Sequence, residues 1–437
     1  VLPNLGIIFN TREHASVVRN WLWPEKNVKN LPDLLSKADR VFFEYAEKNK
    51  NAFICRYERV ILGKRGLSPL FDFLGTQPRI EDLIEVLENS HRYSGKNETV
   101  ERSKALRMEG ENKFFHRPSL PPYLDKVSEK MINSGNCPVV ISTIKNEIER
   151  LPWFLEYYRK LGVKSFIFVD NESKDQSANF LKDQPDVTLY HAPENFYSKS
   201  KFGTEWTDAL SYEHALGRWV LVADVDEVLT WPGCQGQGLG GLVKEADRLG
   251  LNRVFTPMID VYGSVPCSEM EPYQPGEPFS KWANLIDPFE KMKHGFRKGR
   301  FFLFGGPRMR FSKPRVRPPI MSKQKLYFVE DGGFKSSDPH FDNYVLPSPL
   351  VVPFLHYKYL PDFEERVNKA ILEGQYWNNA EEYKSYKEAS LYQRNLTIDE
   401  SIQIQQPEDL QAFIDKISKT IRRANISGSI HWKNKTI

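Results

Sequence analysis

The most constraining feature of this sequence is the run RWVLVADVDEVL at residues 218–229, where an apolar strand pattern ends in Asp224, Asp226 and Glu227. Residues 221–223 predict buried strand, and charges at the tip of such a strand need a cationic partner. Asp224 and Asp226 are two residues apart, so both side chains leave the same face of an extended chain. Hard oxygen ligands in this arrangement suit Mg²⁺ or Mn²⁺ holding a diphosphate, and an acidic turn is the plainer alternative.

Two further strand patterns, residues 139–143 and 165–169, alternate with helical patterns upstream of this run. The first helical pattern follows the first strand and ends at Gly162. Strands that alternate with helices indicate an α/β fold with a parallel sheet, whose ligands bind beyond the carboxyl ends of the strands. Three polar clusters lie at these strand ends: Lys145-Asn146-Glu147, residues 170–175, and residues 224–227.

Several of these stretches resemble bacterial family-2-like glycosyltransferases with a GT-A nucleotide-sugar-binding domain. The resemblance covers roughly residues 136–390 and implies a GT-A-like, mostly parallel sheet flanked by helices. It also implies transfer of a sugar from a nucleotide-sugar donor to a glycan or surface-polysaccharide acceptor. The matching stretches are Asn146-Glu147, residues 161–175, 224–227, 258–263, 305–308, 354–360 and 373–380, in that order.

The resemblance implies a nucleotide pocket at the ends of the first two strands. Residues from Thr143 through Lys145 and Asn146 to Glu147 would line this pocket. Asp170 would lie under the base or ribose. The resemblance also implies that Asn171, Asp224 and Lys358 contact the nucleotide.

The resemblance also implies a metal site for Mn²⁺ or Mg²⁺. Asp224 and Asp226 would be the metal-diphosphate pair, with Asp226 the more direct ligand. His356 would contact the metal or the diphosphate, with Lys358 beside it, since imidazole binds Mn²⁺ well and an ammonium offsets phosphate charge. The alternative for His356 is a histidine satisfied within the core.

The general base that an inverting transfer needs is normally a carboxylate near the acceptor hydroxyl. Asp260, after the strand pattern at 253–258, is the first candidate and Asp338 the second, and each also fits a turn or cap residue. Arg308 follows two glycines and is a candidate for binding a phosphate or an acidic acceptor. The alternative is a surface arginine in a basic loop, with Arg297, Lys298, Arg300, Arg310, Lys313, Arg315 and Arg317 around it.

The N-terminal region, residues 1–92, predicts a smaller α/β domain. Strand patterns at 5–9 and 52–58 alternate with helical patterns at 15–22, 34–46 and 80–87. Asn10-Thr11-Arg12, Arg56-Tyr57-Glu58 and residues 71–75 resemble the C-terminal half of the P-loop sulfotransferases. The Gly-rich phosphosulfate loop is absent, and Asn20 stands where the family has a phosphate-binding Ser. A non-catalytic remnant or docking domain is therefore favoured over a second enzyme.

The remaining segments complete a two-domain organisation, as 437 residues are too many for one ordinary core. Residues 93–135 are polar and predict a linker with a helical piece, which precedes the glycosyltransferase-like domain at 136–390. Residues 391–437 form a tail, in which 407–421 predict an amphipathic helix that packs on the catalytic domain or a partner.

Composition bounds the partners and the compartment. A net charge of +4 does not favour nucleic acid, although the basic stretch 291–317 suits an anionic glycan or a membrane surface. The four cysteines lack metal-ligand spacing, which favours a reduced, cytoplasmic protein. The sequence has no run of about eighteen apolar residues, so no membrane span is predicted. Peripheral association with the inner face of the membrane is compatible with the sequence.

The sequence therefore predicts a metal-dependent glycosyltransferase. The second hypothesis is a non-catalytic glycan-binding or scaffold protein that keeps the fold, and the third is a sulfotransferase. The intact carboxylate pair and His356 favour the enzyme over the scaffold, and the missing phosphosulfate loop disfavours the third.

Overall fold

The computed structural model describes residues 7–11, 41–50, 52–56, 118–132, 135–297, 300–311, 320–330, 336, 338–341 and 347–427. In chain order, the described strands are β1 Ile7–Thr11, β2 Ala52–Arg56, β3 Asp125–Ser128, β4 Val139–Ile144, β5 Phe166–Asp170, β6 Val187–His191, β7 Trp219–Val222, β8 Glu227–Leu229, β9 Arg253–Val254, β10 Met258–Asp260, β11 Leu285–Ile286, β12 Lys293–Arg297, β13 Arg300–Phe304, β14 Leu326–Phe328, β15 Phe354–His356 and β16 Ile402–Gln403. The α-helices from residue 118 onward are α1 Leu151–Lys160, α2 Ser177–Lys182, α3 Thr204–Ala215, α4 Cys234–Arg248, α5 Gly306–Phe311, α6 Phe363–Glu373, α7 Trp377–Glu388 and α8 Gln411–Ser427.

The centre of the molecule is a seven-stranded sheet in the order β3-β6-β5-β4-β7-β14-β9. Strands β6, β5, β4 and β7 run parallel, whereas β3 and β14 are antiparallel to their neighbours. Strand β9 is antiparallel to β14 and so runs with the central four. Helices α1, α2 and α3 connect the successive parallel strands. The predicted α/β class, with a mostly parallel sheet flanked by helices, is confirmed.

Both faces of this sheet are buried, and for this reason its strands read as continuous apolar runs rather than alternating ones. In β4, Val140 packs into a cluster that includes Phe154 and Tyr158 of α1. Its neighbour Ile141 points the opposite way, into a cluster that includes Trp206 of α3. The two helical layers thus hold β4 and its carboxyl end in place.

A second, three-stranded sheet in the order β10-β15-β8 adjoins the central one. The sequence analysis expected one strand at 253–258, but the structure has β9 and β10 in different sheets. Pro257 lies between them, and a proline cannot donate to a sheet ladder, so the chain changes sheets there. The small sheet pairs Asp260 with His356 and His356 with Glu227, which aligns three polar residues across three strands.

The predicted linker at 93–135 is wrong in its last part, because β3 pairs with β6 as an edge strand of the central sheet. Three of the four β3 residues are exposed, and a short, charged edge strand has the composition of a linker. Leu124, just before β3, is buried in the core on the α3 side. The sheet domain therefore begins before residue 136.

The N-terminal region contributes two parallel strands, β1 and β2, and helical residues 41–48. The strands match the patterns at 5–9 and 52–58 to within a few residues, and the helix lies within the predicted stripe. The helical patterns at 15–22 and 80–87, and Arg12, Asn20, residues 57–58 and residues 71–75 of the sulfotransferase-like motifs, lie outside the described residues.

The C-terminal helix packs on the sheet domain, which confirms that prediction. The helix begins after a 3-10 turn at Pro407–Leu410, and Phe413, Ile417 and Ile421 are buried with Leu355 of β15. Strand β16 pairs with β11, so the tail is part of the same body rather than a separate segment from 391 onward. Within the described residues, no helix is both long and apolar enough to cross a membrane.

Candidate functional site

A cleft with a volume of about 270 Å³ opens at the carboxyl ends of β4, β5 and β7. The loops after these strands and after β15 form its floor, and α6, α7 and the start of α5 form its walls. Its polar lining residues are Thr143, Lys145, Glu147, Asn171, Tyr197, Asp224, Asp226, Glu227, Arg308, Lys323, His340, His356, Lys358, Arg366, Glu373, Gln375, Tyr376, Glu382 and Tyr383.

A chain of contacts runs through the cleft floor from Arg308 to Asp226. Arg308 Nε donates to Asp260 Oδ2 at 2.7 Å, and Asp260 Oδ1 lies 2.8 Å from His356 Nδ1. On the other side of the ring, His356 Nε2 lies 3.7 Å from Asp226 Oδ2. The contact between Asp260 and His356 follows from the strand register. The contact between Arg308 and Asp260 depends on Gly306, at φ +69°, because a Cβ at that position would meet the Asp260 carboxylate at 2.9 Å.

The electrostatics of this chain keep its two carboxylates ionised. Burial alone would raise the pKa of Asp260, but Arg308 and His356 hold it at about 2. Burial likewise opposes the charge of Asp226, while His356 and Arg366 hold its pKa at about 2. Because Asp260 is ionised, its carboxylate accepts and His356 Nδ1 donates. The other ring nitrogen, Nε2, faces Asp226.

The other two carboxylates of the 218–229 run share one lysine. Lys323 Nζ donates to Glu227 Oε1 in a very short contact and lies 3.4 Å from Asp224 Oδ2. Glu227 is buried, and the side chain of Asp224 is 61% exposed. Burial opposes the charge of Lys323, yet Glu227 and Asp224 raise its pKa. Lys323 is the cationic partner that the sequence analysis required at this strand tip, and Asp224 retains open coordination space.

Glu147 is tied to a group of arginines beside the carboxylates. Its Oε2 accepts from Arg366 Nη1 at 3.1 Å and lies 3.5 Å from Arg150 Nη1. Arg366 Nη2 also lies 3.6 Å from Asp226 Oδ2. Arg150 Nη2 donates to both carboxylate oxygens of Asp362. Burial raises the pKa of Glu147 in spite of the two arginines. Arg366, with a third of its side chain exposed, is thus a cation on the cleft wall within reach of a bound anion.

The predicted nucleotide-binding residues divide into two groups. Thr143, Lys145 and Asn171 line the cleft, and Lys145 pairs with Glu194 at 2.6 Å and Glu373 at 3.2 Å. Asn146 is instead part of the loop structure, since its side-chain oxygen accepts from the amides of residues 174 and 175 and it does not line the cleft.

Two buried oxygen atoms near the carboxyl ends of β4 and β5 have no hydrogen-bond partner among the described residues, and only the second of them belongs to a residue that lines the cleft. They are Asp170 Oδ1 and Thr143 Oγ1. Burial raises the pKa of Asp170, and an unpaired buried polar atom is costly unless a ligand or water meets it. The two oxygens are therefore candidate contacts for a polar ligand bound at the ends of β4 and β5.

Neither of the two candidate bases lines the cleft. Asp260 has no exposed side-chain surface and lies behind His356. Asp338 Oδ1 accepts from the amides of His340 and Phe341, as a cap residue does. Their positions favour a positioning role for Asp260 and the cap alternative for Asp338. Arg308 is not a surface arginine, because its side chain is 5% exposed and paired with Asp260.

The site can be tested for a divalent metal ion from its own atoms. Within the part of the chain that the structure describes, no three His, Cys, Asp or Glu side chains are arranged to hold one. Asp226 Oδ2 lies 3.7 Å from His356 Nε2, which in the neutral ring can serve as a metal ligand. Two metal bonds of about 2.1 Å each can bridge such a gap. The pair therefore fits Mg²⁺ or Mn²⁺, provided that phosphate oxygens and water complete the shell.

Four functional candidates in the cleft escaped the sequence analysis: Lys323, His340, Arg366 and Glu382. Each lies in a locally polar stretch that looks like a solvated loop or helix face. Arg366 and Glu382 follow the matched stretches at 354–360 and 373–380, and this proximity was the only signal available.

Comparison with protein-family models and with curated proteins finds no match to this chain.

Proposed function

We propose that the protein is a metal-dependent glycosyltransferase with a GT-A-like domain, which transfers a sugar from a nucleotide donor to a glycan acceptor. The observation that carries the proposal is the chain Arg308–Asp260–His356–Asp226 at the carboxyl edge of a parallel sheet. A carboxylate that orients a histidine, whose other nitrogen faces a second carboxylate, is the usual surrounding of a bound metal ion.

Different residues would bind the nucleoside and the diphosphate of the donor. Thr143 and Asp170 offer unpaired oxygens to the nucleoside, at the ends of β4 and β5. Asp226 and His356 would hold the metal ion, which when bound would offset the charge of the diphosphate. Arg366, 3.6 Å from Asp226, supplies a second positive charge at the same place. Charge of this kind, fixed in position before the reaction, favours departure of the nucleoside diphosphate.

The first prediction is that Asp226→Asn abolishes Mn²⁺-dependent binding of a nucleoside diphosphate. The amide removes a charged ligand from a two-residue site, and its NH₂ group cannot bind the cation. Calorimetry with UDP and GDP, with and without Mn²⁺, measures the effect. A thermal-shift screen of UDP-sugars and GDP-sugars adds a second readout, because a ligand at a hundred times its Kd stabilises by about 2.7 kcal/mol.

The matched control is Asp183→Asn, an exposed aspartate at the end of α2. It should bind like the unmodified protein. Equal nucleotide affinity in the Asp226→Asn variant and the unmodified protein would contradict the metal assignment.

A non-catalytic glycan-binding or scaffold protein is the second candidate, and one observation favours it. The carboxylates of the 218–229 run already have cations near them, since Lys323 contacts Asp224 and Glu227 and Arg366 lies near Asp226. A site neutralised in this way can persist without metal. Nucleotide binding that is identical with and without Mn²⁺, and no donor turnover, would favour this candidate.

A further inference from the structure

We propose that Glu382 is the general base of the transfer, an inference that rests on the proposed function. Glu382 lies on α7, which forms one wall of the cleft, and its side chain is 31% exposed. The sequence predicts the base at Asp260 or Asp338, but both carboxylates accept hydrogen bonds from protein groups. Glu382 is the carboxylate that would accept the proton of the acceptor hydroxyl instead.

The carboxylate of Glu382 is held by one of its two oxygens. Oε1 accepts from Lys358 Nζ at 3.1 Å and from the Tyr386 hydroxyl, and it lies 3.8 Å from Arg308 Nη1. Among the residues that the structure describes, none donates a hydrogen bond to Oε2. Because the side chain lines the cleft, Oε2 is the oxygen that an incoming hydroxyl can reach.

Three different elements set this orientation. Lys358 follows β15, Arg308 lies on α5, and Tyr386 lies one helical turn beyond Glu382 on α7. Burial opposes the charge of Glu382, but Lys358 and Arg308 hold its pKa at about 2, so the group is ionised at neutral pH. The ionised form is the one that can accept a proton, and at so low a pKa the support for this role is the orientation of Glu382 in the cleft.

Arg308 links this carboxylate to the metal-diphosphate region. Its Nε contacts Asp260, the partner of His356, and its Nη1 faces Glu382. Glu382 and His356 are thus linked through the guanidinium of Arg308 and the carboxylate of Asp260. Tyr383, the next residue on α7, also lines the cleft, so an acceptor bound against it would lie near the base.

The proposed step is a direct displacement. The acceptor hydroxyl gives its proton to Glu382 Oε2, while its oxygen forms the bond to the anomeric carbon. The bond from that carbon to the diphosphate oxygen breaks, and the nucleoside diphosphate leaves with the electron pair. Positioned bases of this kind contribute about 10²–10⁴-fold to the rate.

The test compares Glu382→Gln with Glu381→Gln in the full-length protein. The probes are UDP-glucose, UDP-N-acetylglucosamine and GDP-mannose with Mn²⁺, and the readout is release of nucleoside diphosphate with water as the acceptor. We expect Glu382→Gln to lower kcat at least about 100-fold and to keep Mn²⁺-dependent UDP or GDP binding. Glu381 is adjacent on α7, is partly buried and does not line the cleft, so its variant should turn over like the unmodified protein.

A second variant separates lost chemistry from lost structure. Glu382→Ala opens space for a small anion, and sodium formate should restore part of its turnover, whereas formate should not accelerate Glu381→Ala. Turnover of Glu382→Gln within threefold of the unmodified protein, or no formate rescue, would overturn the assignment while the proposed function stands. Failure of the unmodified protein to bind UDP or GDP with Mn²⁺ would overturn the proposed function and this inference with it.

Discussion

His356 and Asp260 face each other across one strand pair, and this contact decides which nitrogen of His356 is available for a ligand. The sequence identified Asp226, His356, Asp260 and Arg308 as separate candidates with separate roles. It did not indicate that Asp260 and Arg308 act through His356, because that relation depends on the register between β10 and β15. Residues 96 positions apart in the chain become neighbours only through the topology.

His340 is a second residue whose position the sequence did not indicate, because it lies outside every recognised motif. It lines the cleft, and its Nδ1 is buried without a hydrogen-bond partner in the described part of the chain. Burial, reinforced by Lys323, lowers the pKa of His340 to about 3. The ring is therefore neutral throughout the physiological range, and protonating it within the fold is unfavourable.

We predict that His340 makes the protein less stable in mild acid. An unfolded chain protonates histidine near pH 6.5, whereas folded His340 does so only near pH 3. Between these values the unfolded state binds more protons, so the free energy of unfolding falls as the pH drops. His340→Gln should remove about 2 kcal/mol of that fall between about pH 6.5 and about pH 4.5.

Urea denaturation at several pH values measures this slope, and an unchanged dependence on urea concentration confirms that the same transition is compared. If the variant lost stability with falling pH as steeply as the unmodified protein, His340 would not be the group responsible.

The secondary-structure elements show which parts of a fold a sequence can specify. The central strands β4 and β5 and helix α1 were predicted to within a residue or two, because fully buried elements carry strong apolar patterns. Strand β3 was missed because an edge strand buries little and stays polar. Beyond the matched stretch at 373–380, helices α6 and α7 gave no functional signal, since their cleft-facing charges resemble those of a solvated face. Their place on the cleft wall is a property of tertiary packing.

We predict that β3 is required for a stable sheet domain, which can be tested with two truncated chains. A chain that begins at residue 118 retains β3, and one that begins at residue 133 does not. The shorter chain also loses Tyr123, whose ring stacks on Phe196 at 3.8 Å and whose hydroxyl accepts from Trp206 Nε1. It leaves the edge of β6 unpaired and uncovers the pocket of Leu124.

We expect the chain from 118 to bind nucleotide like the full-length protein, and the chain from 133 to be less stable by about 3 kcal/mol or insoluble. Both chains lack residues 1–117, so the comparison isolates β3 and its flanking residues. Equal melting temperatures for the two would contradict the prediction.

At the scale of the whole molecule, residues 41–50 and 52–56 of the N-terminal region pack against the end of α4. Arg248, at the end of α4, donates to the backbone carbonyls of Ala46, Asn49 and Ala52 at 2.6, 3.2 and 2.8 Å. Gly250, at φ +65°, leaves room for Ile54, which a Cβ would meet at 2.4 Å. None of the described residues 7–11, 41–50 and 52–56 lines the cleft. This arrangement favours the docking role over a second catalytic one for the described N-terminal residues.

The last prediction is that Arg248→Ala loosens this docking and leaves the cleft intact. The Arg248 side chain is 8% exposed, and its three carbonyl acceptors would lose a charged donor. At about 1 kcal/mol for each hydrogen bond, the free energy of unfolding should fall by about 2–4 kcal/mol. Hydrogen exchange should become faster in residues 41–56, while Mn²⁺-dependent nucleotide binding should stay as it was. Lys244→Ala, an exposed position on the same helix, is the control. Unchanged exchange in residues 41–56 would show that Arg248 does not hold the N-terminal region, and loss of nucleotide binding would show that docking and the cleft are coupled.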